Sequence, residues 1–214
     1  GITGLEPRGV TVDAVSFGAG TSNENGILEP GEEVRVSPTW QNASPVAIQA
    51  TGTAAALAGP EGATSTLLDP AAGYGTIDAG TEGTCLADAY ALGVSDPATR
   101  PSAHWDLTFL ETLSTGATHT WTVHVGRSFD DVPLEHWAYP FIETIFHRSV
   151  TLGCAPASYC PELQLTRAEM AAFLLRAKHG PGWAPPVPTG TVFEDVPVGH
   201  WASGFIEALA AEGI

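Results

Sequence analysis

Two periodicities divide the chain. Val10-Thr11-Val12-Asp13-Ala14-Val15 alternates apolar and polar positions with a period of two. So do Val34-Arg35-Val36-Ser37-Pro38-Thr39-Trp40 and Thr118-His119-Thr120-Trp121-Thr122-Val123-His124-Val125. Successive side chains of an extended strand point to opposite faces, so each run predicts a strand with one buried face; Trp121, Val123 and Val125 share such a face. Turn clusters such as Gly59-Pro60-Glu61-Gly62 and Asp69-Pro70 lie between the runs. Short strands, frequent turns and no helical period over residues 1–126 predict an all-β, antiparallel sandwich, immunoglobulin-like in general shape.

Near Gly126 the period changes to that of a helix. Trp137, Phe141 and Ile145 recur every four residues, with Ile142 and Phe146 beside them. Pro140 falls in the first turn of this predicted helix, where its missing N–H costs little. A second helix opens at Thr166-Arg167-Ala168-Glu169, a capping box in which the Thr166 hydroxyl takes one free N–H and Glu169 reaches back to another. Met170, Phe173, Leu174 and Ala177 are its expected apolar stripe. Residues 180–191, rich in Pro and Gly, are expected to be a stiff linker and no folded element. Beyond them the sequence repeats at an offset of 64 residues: Phe129-Asp130-Asp131-Val132-Pro133 returns as Phe193-Glu194-Asp195-Val196-Pro197, His136-Trp137-Ala138 as His200-Trp201-Ala202, and Phe141-Ile142-Glu143 as Phe205-Ile206-Glu207.

The order Phe-x-Asp-Val-Pro, His-Trp-Ala, helix, Thr-Arg-Ala-Glu, helix resembles the S-layer-homology repeat. A complete copy spans residues 127–179, and the first half of a second spans 192–214. The resemblance implies a small α-helical module of hairpins that usually act in threes and hold bacterial surface proteins on cell-wall polysaccharide, often pyruvylated. It also implies polysaccharide-binding roles for Arg167, Asp131 and Trp137, with Asp195 and Trp201 from the second copy. A guanidinium forks onto a carboxylate, an indole stacks on a sugar, and a carboxylate accepts sugar hydroxyls. From the residues alone, Trp137 and Trp201 fall on the apolar face of their helices, the place of core side chains. Asp131 and Asp195 stand where they could cap the helices that follow.

Charge narrows the partners. The formal net charge is -16, Lys178 is the only lysine, and charged residues make up 15% of the chain. Binding to phosphate polymers needs clustered Lys and Arg, so nucleic acid and anionic lipid surfaces are not expected partners. No apolar run approaches the roughly 18 residues of a membrane helix. Gly1-Ile2-Thr3-Gly4 has the look of a mature or trimmed end. Cys154 and Cys160 enclose a short Pro-containing loop and are expected to form a disulfide in an oxidising compartment, whereas Cys85 is expected to be a buried small hydrophobe.

Residues 21–32 carry the remaining candidate chemistry. Asn23, Asn25, Gly26 and Glu32 fall at positions 3, 5, 6 and 12 of an EF-hand-like loop, with Thr21 in place of the first Asp. Calcium is the implied cofactor, with Asn23, Asn25, Glu29 and Glu32 as candidate ligands; ordinary turn roles for the same residues stay open, Asn25-Gly26 being a common hairpin turn. His104 and Asp106 share a strand face, which favours a cross-strand hydrogen bond over a dyad. His119 and His124 differ in parity and so face opposite sides. No Gly-x-Ser-x-Gly, His-Glu-x-x-His or phosphate-cradling loop is present, and no enzymatic activity is expected. The implied function is that of an extracellular structural protein of the bacterial cell surface, anchored to wall polysaccharide. Two alternatives are a subunit of a self-assembling filament or layer, completed by neighbouring copies of itself, and an accessory module of a larger secreted hydrolase.

Overall fold

The computed structural model describes residues 4–17 and 22–214, so Gly1-Ile2-Thr3 and Thr21 lie outside the described residues. Two compact units divide the chain, Gly1–Ser128 and Phe129–Ile214. The first contains β1 (Leu5–Val12), β2 (Glu33–Asn42), β3 (Ile48–Ala58), β4 (Ser65–Asp69), β5 (Ala71–Ile77), β6 (Glu82–Thr84), β7 (Tyr90–Val94), β8 (Asp106–Leu113) and β9 (Thr118–His124). One sheet runs β1-β2-β7-β4, with β6 also paired to β2; the other runs β5-β3-β8-β9. All of these pairings are antiparallel.

Period-two alternation selects what goes inside. Along β8, Leu107, Phe109, Glu111 and Leu113 are buried, while Leu110 and Thr112 between them are exposed. Trp121 and Val123 of β9 join Trp40, Tyr90, Leu92 and Trp105 in one core shared by both sheets. β1 is shorter than the alternation predicts. It ends at Val12 because Asp13 turns to a φ of 46° and buries its side chain, and Val15 is left exposed. Pro38 lies inside β2, although it lacks an N–H for the ladder. It occupies the gap between the stretch paired with β7, Glu33–Val36, and the stretch paired with β6, Thr39–Gln41.

The core contains a carboxylate. Glu111 is wholly buried. Its Oε1 accepts the hydroxyls of Tyr74 and Tyr90, each at 2.6 Å, and its Oε2 accepts the indole N–H groups of Trp40 (2.9 Å) and Trp121 (2.6 Å). Five strands from both sheets thus meet on one side chain, which a buried polar group requires if it is not to cost stability. Gly52 on β3 makes the room: a Cβ there would overlap the Tyr90 hydroxyl and lie 2.6 Å from Glu111 Oε1. Cys85 is buried as expected, and burial pushes its thiol up to about 11.

The second unit contains α1 (Tyr139–His147), α2 (Arg167–His179) and α3 (Ser203–Ala211). The buried faces differ from those the sequence predicts. On α1, Tyr139, Ile142, Glu143 and Phe146 are buried, while Phe141 is 66% exposed. On α2, the buried set is Ala171, Ala172 and Leu175; Met170 and Leu174 face outward. Both buried faces are turned away from the predicted stripes, because spacing fixes which residues share a face and packing partners fix which face is covered. The stretch 180–191 has no helix or strand, but it is not a free spacer. Trp183 stacks on His179 with centroids 4.6 Å apart, and Glu207 of α3 accepts the backbone N–H groups of Thr189 and Gly190, each at 2.7 Å. A Cβ on Gly204 would come within 3.0 Å of Pro185 Cγ and the Pro186 carbonyl, so the Pro-rich segment lies directly on the start of α3.

Candidate functional site

Within the second unit, α2 and the second repeat copy enclose a groove of ≈ 410 Å³. Arg167, Ala168 and Ala171 line it from α2; Asp195, His200 and Ile206 line it from the other side. The capping box sets one wall. Thr166 accepts the Glu169 backbone N–H at 3.2 Å, and Glu169 accepts the Thr166 backbone N–H at 2.8 Å. That reciprocal pair fixes the first turn, and Arg167 is the first residue of the helix so started. Arg167 forms no salt bridge among the described residues, so its guanidinium is available to an anion. The far end of α2 is tied to the end of α3 by Lys178 Nζ and His179 Nε2, each 2.7 Å from a Glu212 carboxylate oxygen.

The other residues assigned by the resemblance are distributed differently. Asp131 and Asp195 do not cap the helices that follow. Those helices begin after Ala138 and Ala202, seven residues on, and neither N-cap residue supplies a side-chain cap. The repeated histidine meets one of the free N–H groups there: His136 Nδ1 accepts from Ala138, and His200 Nδ1 from Ala202, at 3.2 Å in both copies. Asp131 instead accepts the backbone N–H groups of Tyr159 (2.8 Å) and Cys160 (2.7 Å), clamping the loop closed by the Cys154–Cys160 disulfide. Trp137 and Trp201 are 81% and 63% exposed. The expectation that they sit in the core fails, since both stand just ahead of the helix and outside its buried face.

In the first unit the connection between β1 and β2 carries three buried acids, Asp13, Glu29 and Glu32. Asp13 accepts from the Ser22 hydroxyl (2.5 Å) and the Asn25 backbone N–H (3.0 Å). The side-chain amides of Asn23 and Asn25 donate to the two oxygens of Glu29, at 3.0 and 2.8 Å, while their carbonyl oxygens accept backbone N–H groups two residues on. Asn23 and Asn25 therefore hold Glu29 in position. The Glu29 backbone N–H donates to Glu32 Oε2 at 2.9 Å, and Glu32 Oε1 is buried with no hydrogen-bond partner among the described residues. Burial, then the adjacent Glu29 carboxyl, pushes Glu32 up to about 8; burial also raises Asp13. Sequence reasoning missed Asp13, which stands ten residues before Asn23 and reaches the loop only because β1 pairs with β2.

At the start of β8, His124 Nδ1 is 3.0 Å from Asp106 Oδ1 across the β8–β9 pair, and His104 Nε2 is 3.3 Å from Asp106 Oδ2. One potential ligand atom from each lies within 4.8 Å of the others. Two imidazoles and a carboxylate form a donor set suited to a transition-metal cation. His119 lies elsewhere, 4.4 Å from Trp121 by ring centroids.

No protein family and no curated protein matches the chain by sequence. Solved structures match parts of it. The alkylpurine DNA glycosylase AlkC of Pseudomonas fluorescens, bound to DNA containing an abasic site analogue, matches at 10% identity and TM-score 0.29, covering 57% of this chain and 30% of that one. A FixG-related protein from Vibrio parahaemolyticus matches at 17% identity and TM-score 0.28, covering 57% and 94%. A Nocardia farcinica protein with an immunoglobulin-like fold matches at 11% identity and TM-score 0.22, covering 44% and 77%. Likenesses this low assign no function. No helix among the described residues is long and apolar enough to cross a membrane.

Proposed function

We propose that this chain is a non-catalytic structural protein of the bacterial cell surface whose second unit binds an acidic cell-wall polysaccharide in the groove between α2 and the second repeat copy. One observation carries the reading: Arg167 from the first copy and Asp195 from the second line the same groove. A guanidinium beside a carboxylate matches a sugar polymer that presents both acid groups and hydroxyls. The Cys154–Cys160 disulfide fits an extracellular location.

A second reading, self-assembly with neighbouring copies, draws support from the apolar side chains that the second unit exposes. Trp137, Phe141, Leu152 and Leu163 are each at least 66% exposed. Exposed apolar side chains of this size mark association surfaces when they are contiguous.

A pelleting assay separates the two. Purified protein is spun with and without wall sacculi that carry their polysaccharide, beside an Arg167→Ala variant. Sedimentation only with sacculi, lost in the variant, supports the groove reading. Sedimentation without sacculi supports self-assembly. Sacculus binding that Arg167→Ala leaves intact overturns the role of the groove, and protein soluble in every tube overturns both readings.

A further inference from the structure

We infer that Asp13, Glu29 and Glu32 form a binding site for a hard divalent cation of the calcium class. The site lies in the first unit and is independent of the polysaccharide reading.

The argument begins with burial. Asp13 is 0% exposed, Glu29 1% and Glu32 6%. Three carboxyl groups this deep face a large desolvation penalty unless opposite charge or protons offset it. Among the described residues, every side-chain donor to them is neutral: the Ser22 hydroxyl and the amides of Asn23 and Asn25. No Lys, Arg or His forms a salt bridge with any of the three among the described residues. Arg35, the nearest cation along β2, is turned toward the Phe17 ring instead, 5.6 Å from its centroid.

The second observation is the orphan oxygen. Glu32 is more than nine-tenths buried, its Oε1 has no hydrogen-bond partner among the described residues, and its carboxyl adjoins that of Glu29. Buried polar atoms are normally satisfied, so an acceptor facing other acceptors points to a missing cation. The surroundings suit calcium's chemistry: hard carboxylate oxygens on a turn-rich loop, where Gly26 and Gly31 take positive φ values of 88° and 86°. The neighbouring Asn residues fix Glu29 through their amides, so the carboxylates are in place before the ion arrives. The bound ion would tie Glu29 and Glu32 to Asp13 at the end of β1.

The test uses the full chain stripped with EDTA. Calcium is titrated by calorimetry and by thermal melts, with magnesium and zinc in parallel. The expected result is saturable calcium binding at about 10⁻⁴ to 10⁻³ M, the range of extracellular modules, and a melting temperature that rises with calcium and returns with chelator. Glu32→Gln keeps the acceptor for the Glu29 backbone N–H and places an amide donor beside the Glu29 carboxylate. It should fold, be at least as stable as the parent in EDTA, and lose calcium affinity by on the order of tenfold or more. Asp13→Asn should weaken binding in the same way. Absence of any calcium-dependent heat or melting shift up to about 10 mM overturns the inference. So does a folded Glu32→Gln that binds calcium as the parent does. A response to zinc alone, unaffected by Glu32→Gln, also overturns it. None of these outcomes bears on sacculus binding by the second unit.

Discussion

Replacing Glu111 tests how the sandwich core is held together. Two expectations compete. Removing a buried carboxylate relieves its desolvation, and apolar replacements of buried ionic groups are often neutral or stabilising. Here, however, four donors stay behind: the hydroxyls of Tyr74 and Tyr90 and the indole N–H groups of Trp40 and Trp121. In Glu111→Leu the hydroxyls can rotate toward other acceptors, but an indole N–H is a fixed donor. Two unsatisfied indoles cost about 1–3 kcal/mol each, so the expected loss is about 2–6 kcal/mol. Glu111→Gln can turn its carbonyl to the two indoles and its two amide hydrogens to the two tyrosine oxygens. The two indoles keep their acceptor, the tyrosine oxygens now accept and their hydrogens turn to other acceptors as in the Leu variant, and the charge assistance is lost, for about 1–2 kcal/mol. Urea unfolding followed by tryptophan fluorescence reads both variants, since Trp40 and Trp121 touch the replaced group. A Leu variant as stable as the Gln variant would show that desolvation outweighs donor satisfaction and would refute the reasoning.

Two further outcomes follow from the same geometry. Gly52→Ala should destabilise the first unit by about 1–3 kcal/mol, the usual range for overpacking, because its Cβ would overlap the Tyr90 hydroxyl beside Glu111; an unchanged urea midpoint would mean that the tyrosine moves freely. The second unit should weaken in acid. Glu169 is held below the usual glutamate range by the Thr166 backbone N–H and hydroxyl, Glu207 by the Thr189 and Gly190 N–H groups, and Glu212 by Lys178 and His179. Carboxyls lowered in the folded state contribute stability that is fully present above the ordinary value, 4.5, and is lost as pH falls through the folded values. Thermal melts of the helical signal should therefore be level from pH 7 to about 5 and fall below it, and a level profile down to pH 3 would contradict these assignments.

Much of the architecture was legible in the chain because its signals are local. The strand alternation of β2 and β9 and the capping box at Thr166 each involve residues close in sequence, where backbone geometry alone sets the relation. The closeness of Cys154 and Cys160 in sequence is a signal of the same kind. The Thr166-Arg167-Ala168-Glu169 motif singled out Arg167 and the repeat at an offset of 64 singled out Asp195, and both line one groove.

What the sequence left open is what depends on distant partners. Periodicity placed Trp137 and Phe141 on one stripe with Ile145, but only packing decided that Ile142 and Phe146 are covered and the former two face solvent. Trp40, Tyr74, Tyr90, Glu111 and Trp121 come from five separate strands, and no local pattern marks them as one network. The loop motif proposed Asn23, Asn25, Glu29 and Glu32, yet Asp13 joined them only through pairing of β1 with β2, and the two asparagines became supports for Glu29. Local sequence determines strands, helix starts and turns because a few neighbouring dihedral angles and hydrogen bonds suffice for each. Buried polar clusters belong to the tertiary structure, because their partners meet only when the sheets close and water is excluded.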